Sequence, residues 1–176
     1  VITSLGNPQK VIEVVHSYGG KVFCDVVDLK YALKVQEQGA DGVVAVSIGA
    51  GGHAGNVSPL VLIPYLKEHL RIPVVAAGGI FDAAGVAAAF CLGAKGVQVG
   101  TRFILAEECT AHTEYKERVI RAKDIDSKVT GRVTGHPVRV LRSPLQRELA
   151  AAEYEPDGKE RLEQLGEGSL MRAVLH

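Results

Sequence analysis

Short runs of β-branched and small apolar residues alternate with longer amphipathic segments through the first hundred positions. Residues 1–4 read as the end of a strand, followed by a turn at Gly6, Asn7 and Pro8 and a helix over about 9–18. KVFCDVV, residues 21–27, predicts the next strand, and LKYALKVQEQ, 29–38, its helix. Asp28 is placed to cap that helix and Gly39 to stop it. The beat repeats with GVVAV at 42–46, a glycine-rich loop, and a helix over 59–70 that has Pro59 in its first turn. IPVVAA at 72–77, a helix over about 82–92 with Asp82 at its start, and GVQV at 96–99 close the series.

Apolar residues at nearly every strand position predict burial on both faces, and the intervening helices predict parallel pairing. Five strands result, whereas a closed (β/α)8 barrel needs eight. The pattern therefore fits either a five-stranded doubly wound sheet of flavodoxin type or part of a larger barrel. Beyond Gly100 the rhythm changes. Residues 107–123 read as largely helical, RVTGHPVRVL at 132–141 as irregular or extended, and 143–154 and 158–165 as helices around a turn at 155–158.

Composition narrows the classes. With 47% hydrophobic residues among 176 and a mean hydropathy of +0.12, the chain can bury a core, which argues against disorder. Twenty basic residues balance twenty acidic ones, so no net field favours nucleic acid or an anionic membrane. Cys24, Cys91 and Cys109 form no CxxC pair, a usage expected of free thiols in a reducing compartment. No apolar run of about twenty residues and no charged leader is present. A cytoplasmic location is the expectation.

Three glycine-bearing loops follow predicted strands. SIGAGGHAGN, 47–56, leaves backbone uncovered at Gly49, Gly51, Gly52 and Gly55 and presents the imidazole of His53 as a proton acceptor at a strand end. It also reads as a flexible turn with an incidental histidine. AAGGIFDAAG, 76–85, offers Gly78 and Gly79 at a helix start, a favourable place for a phosphate and equally a capped turn. In VQVGTRF, 97–103, Gly100 permits close approach, Thr101 supplies a hydroxyl donor, Arg102 a charge, and Gln98 either a ring-edge contact or a polar layer residue. Phosphate loops after the last two strands are usual in phosphate-binding (β/α)8 barrels.

Other chemistries lack their signatures. No G-x-G-x-x-G follows the first strand. His53, His69, His112 and His136 are scattered with no HExxH arrangement, so no metal is expected. GHAG does not make Ser58 a hydrolase nucleophile.

AGGHAG, AAGGI and QVGTRF, in that order, resemble the nitronate monooxygenase family, formerly grouped as 2-nitropropane dioxygenases, and the related flavin-dependent enoyl-acyl-carrier-protein reductases. The resemblance runs roughly over residues 1–103. The segment 47–68 looks more like the monooxygenase branch, and 115–141 more like the reductase branch. The resemblance implies an α/β (β/α)8 TIM barrel, with residues 1–106 forming its C-terminal, FMN-binding half and 107–176 a mostly helical extension truncated before its usual end. It implies His53 as the catalytic base beside the flavin. Gly51, Gly52, Gly78, Gly79, Gln98, Gly100 and Thr101 are the implied FMN contacts. In the reductases an acidic residue often stands where this chain has Gly49. The implied activity is oxidation of alkyl nitronates or nitroalkanes with dioxygen. The alternatives are enoyl-thioester reduction with NAD(P)H and a catalytically silent FMN-binding module. The implied partners are a small-molecule substrate and dioxygen, with a missing barrel half or a homo-oligomer partner completing the fold.

Overall fold

A computed structural model of the chain describes residues 1–130 and 136–142. The expected helices at 143–154 and 158–165 and the turn between them lie outside the described residues. The chain divides into two compact units, one formed by Val1–Ala50 with Ala54–Val99, the other by Gly51–His53 with Gly100–His176.

In the first unit the strands are β1 (Ile2–Thr3), β2 (Phe23–Val26), β3 (Gly42–Val46), β5 (Val74–Ala77) and β6 (Gly96–Gln98), with β4 belonging to the other unit. They pair in parallel in the order β1-β2-β3-β5-β6. Helices α1 (Gln9–Ser17), α2 (Leu29–Glu37), α3 (Pro59–His69) and α4 (Ala83–Cys91) supply the connections. This is an α/β fold with a parallel sheet, as the alternation of strand and helix patterns predicts.

The central strand β3 is buried at all five positions, which is why GVVAV carries no polar alternation. Its Val43 and Ala45 join Cys24, Val26, Val74 and Ala76 in a core completed by Ile12, Val15, Ala32, Val35, Leu62, Ile63 and Leu66 of the helices. Val44, Val46 and Ala77 cluster separately with Ala50, Ala54, Phe23 and Val75, as strand alternation requires for the opposite face. Asp28 caps α2 by accepting from Tyr31 N at 2.9 Å, and Asp82 caps α4 by accepting from Gly85 N at 2.8 Å. Pro59 opens α3 as expected. Two strands are shorter than their apolar runs predict. β2 begins only at Phe23, and β5 begins just after Pro73, which has no N–H for a ladder.

The second unit is built differently from its expectation. The predicted helix over 107–123 is confined to α6 (Thr113–Arg121), preceded by the single turn α5 (Thr101–Ile104). His112 sets the start of α6, its Nδ1 accepting from Glu114 N, and Asp126 ends the segment by accepting from Lys123 N. β4 (Gly52–His53), β7 (Ser127–Thr130) and β8 (Val138–Leu141) then form an antiparallel sheet in the order β4-β8-β7. The extended reading of 132–141 holds for β8. The strand character of 52–53 and 127–130 was not anticipated.

Candidate functional site

The site residues expected from the sequence fall in both units, and the local geometry of each group is distinct. In the first unit the loops after β3 and β5 meet backbone to backbone. Ser47 N donates to Ala77 O at 3.0 Å, while Ala50 N and Gly55 N donate back to Ser47 O. Gly78 and Gly79 have φ of +111° and +74°, values that side-chain-bearing residues rarely adopt. A Cβ on Gly78 would stand 2.5 Å from Ser47 Oγ and 2.6 Å from Ala50 N. A Cβ on Gly49 would stand 3.1 Å from Gly78 C and from Gly79 N. Gly49 and Gly78 are therefore glycines because two loops touch there. Gly79 is freer, since a Cβ on it would come no nearer than 3.8 Å to another atom, Gly49 Cα.

Among the described residues of this unit, Gln38 Oε1, Ser47 Oγ and Gln98 Oε1 are buried without a hydrogen-bond partner. Ser47 is fully buried, and its Oγ has no partner among the described residues. Gln98, the last residue of β6, pairs in register with Ala77 and holds a buried Oε1 that likewise lacks a partner. A buried acceptor left unpaired is destabilising by about 1–3 kcal/mol. Ser47 was part of the quoted loop, but its residue type gave no sign that it would be enclosed and unpaired.

In the second unit, Gly100 precedes α5 with no atom within 4 Å of where its Cβ would lie. Thr101 Oγ1 would be 2.6 Å from a Cβ on Gly51, so the hydroxyl rests against that glycine. Gly52, at φ +73°, turns the chain into β4. His53 then pairs opposite Val138 of β8, and Gly52 opposite Arg139. His53 is exposed, and its ring meets that of His136 edge to face, with centroids 6.1 Å apart and planes at 71°.

The four histidines that look scattered in the sequence thus separate by role. His112 caps α6, His69 contacts Tyr65 through both its ring and Tyr65 O, and only His53 and His136 of these four come together. The one sequence signal for His136 is its place two residues ahead of an apolar extended run. Among the described residues, no group of three His, Cys, Asp or Glu side chains is arranged to hold a metal ion.

Comparison with known proteins gives a consistent result. The family described as nitronate monooxygenase matches residues 1–174. The (3aS,4S,5R,7aS)-5-hydroxy-7a-methyl-1-oxo-octahydro-1H-indene-4-carboxyl-CoA dehydrogenase of Mycobacterium tuberculosis is 39% identical over 149 residues, covering 83% of this chain and 42% of that protein. FabK from Thermotoga maritima superposes with a TM-score of 0.91 at 43% identity, over 99% of this chain and 55% of that one. A nitroalkane oxidase from Streptomyces ansochromogenes superposes with a TM-score of 0.78 at 27% identity, over 98% of this chain and 55% of that one. The chain spans about half the length of these relatives.

Proposed function

The chain belongs to the nitronate monooxygenase family, and from that premise we propose that it serves an FMN-dependent oxidoreductase acting on alkyl nitronates or nitroalkanes with dioxygen. The observation that carries the flavin is the unpaired, buried Oε1 of Gln98 at a strand end, an acceptor suited to an N–H on a flavin ring edge. A Cβ on Gly79 would meet only ordinary contact with Gly49, Gly100 has open space where its Cβ would lie, and Thr101 Oγ1 is the proposed hydroxyl donor for a phosphate oxygen. Gly51, Gly52 and Gly78 shape the loops that carry these contacts. FMN, when bound, supplies the electron chemistry and the reaction with dioxygen.

His53 is the proposed base. Its neutral imidazole accepts the carbon-bound proton of a nitroalkane and leaves the nitronate anion, or hydrogen-bonds a nitronate already formed. Gly49 favours this reading over reduction: the related reductases often carry an acidic residue there, whereas a Cβ here would press on the Gly78 and Gly79 backbone.

A second reading is reduction of an enoyl thioester with NADH or NADPH as the electron source. Residues 115–141 favour it, and the name of the Mycobacterium tuberculosis relative is that of a carboxyl-CoA dehydrogenase, an enzyme of a thioester. Two assays on the FMN-loaded protein separate the readings. Oxygen uptake with propionate 3-nitronate or 2-nitropropane, without nicotinamide, supports the first. Nicotinamide oxidation that depends on an enoyl thioester, with no nitronate-driven uptake, overturns it in favour of the second.

A further inference from the structure

The loop that carries His53 is closed at its base by a single carbonyl. Ser47 O, just past the end of β3, accepts from Ala50 N at 3.1 Å and from Gly55 N at 3.3 Å. Ile48 N donates to Val57 O at 2.9 Å and closes the same loop a second time. Exposure follows this closure: Gly51, Gly52 and His53 are exposed, whereas Ala50 before them and Ala54 and Gly55 after them are buried. Ala50 and Ala54 both pack in the cluster of Val44, Val46 and Ala77. We propose that Gly55 is a positioning residue for His53, holding the returning end of this loop against β3, an inference that rests on the reading of His53 as the base.

Space rather than conformation makes residue 55 a glycine, since its φ lies outside the left-handed region. A Cβ there would run into Val46 O and stand 3.4 Å from Val27 Cβ. Val46 cannot give way. It is the last residue of the buried central strand and pairs in register with Ala77 of β5, and a backbone oxygen has no rotamer to swing aside. A side chain at 55 therefore displaces the loop and draws Gly55 N away from Ser47 O. Only Ala54 separates this point from His53, so the shift reaches the backbone of the imidazole-bearing residue. Pairing with β8 sets the strand register of His53, and Gly55 sets where the chain returns to β3. A catalytic group misplaced by about 1 Å loses on the order of a hundredfold in rate, and a loss of orientation acts on turnover rather than on binding.

The test uses the FMN-loaded protein in deuterated water without dioxygen and follows exchange of the carbon-bound proton of 2-nitropropane by NMR, with flavin absorbance as a check on cofactor content. Gly55→Ala is expected to lower the exchange rate constant at saturation about tenfold or more, with little change in KM or FMN content. Gly42→Ala is the control for general destabilisation: its Cβ would run into the Phe23 ring at the other end of β3. It is expected to lower the thermal midpoint and keep the parent rate. Ala54→Gly removes the buried methyl group beside His53 and loosens the backbone there. It is expected to slow exchange about three- to tenfold, and it carries the test should Gly55→Ala not fold. Parent-like exchange in Gly55→Ala, or in Ala54→Gly where it stands in, would overturn the positioning role while leaving His53 as the base. A loss in Gly42→Ala as large as that in Gly55→Ala would also overturn it, since destabilisation alone would then account for both. Exchange that persists undiminished in His53→Ala would instead sink the reading of His53 as the base, and the positioning role with it.

Discussion

At the scale of single residues, glycines that look alike in the sequence do different things. Gly78 combines a φ of +111° with two contacts that a Cβ would violate, so Gly78→Ala is expected to lower the thermal midpoint with a loss of about 1–3 kcal/mol. Gly100 has open space where its Cβ would lie, so packing does not require a glycine there. Gln98 gives a prediction of opposite signs. Its buried Oε1 has no partner among the described residues, so Gln98→Leu is expected to leave unliganded stability unchanged or raised while weakening FMN binding about tenfold. Titration calorimetry with FMN beside thermal denaturation reads both, and a variant that loses stability without losing affinity would refute the assignment. The sequence marked Gln98 as a ring-edge contact or a polar layer residue.

At the scale of elements, the parallel strands and α1 to α4 were legible because each writes its own pattern: continuous apolar runs for strands buried on both faces, and Asp28 and Asp82 at helix starts. The antiparallel sheet was not legible. β4 is a glycine and a histidine with no alternation to read, and its partner β8 is remote in sequence, so only tertiary pairing makes it a strand. The late start of α6 has a similar cause, a cap at His112 within a segment whose charged residues suit a helix throughout. A second hidden element-level feature is Asp41. Lys21 Nζ donates to its Oδ1 at 2.8 Å, while Val22 N and His16 Nε2 approach Oδ2 at 2.9 and 2.8 Å, tying the end of α1 to the starts of β2 and β3. The Lys21 hydrogen bond, aided by those from Val22 and His16, holds the Asp41 carboxyl well below the usual carboxylate range despite some desolvation. Because the folded value is depressed, this contribution is fully present above the unfolded value of about 3.9 and is lost as pH falls below it. Asp41→Asn is expected to cost about 1–3 kcal/mol at neutral pH and to flatten the acid limb of a stability–pH curve. An unchanged acid limb would contradict this.

At the scale of the whole molecule, strand number alone left a doubly wound sheet and a partial barrel both open. What decided family was the order of three loops, AGGHAG, AAGGI and QVGTRF, which the match over residues 1–174 bears out. The fold agrees, with a TM-score of 0.91 to FabK from Thermotoga maritima. No helix among the described residues is long and apolar enough to cross a membrane. The central claim is that this family fold works here through the imidazole of His53 together with FMN. Oxygen uptake on a nitroalkane by the FMN-loaded protein, compared with His53→Ala at matched flavin content, tests it most directly. The account predicts a fall of about a hundredfold or more in kcat/KM with FMN still bound, the usual size of a general-base contribution. Uptake that survives the substitution undiminished would contradict it.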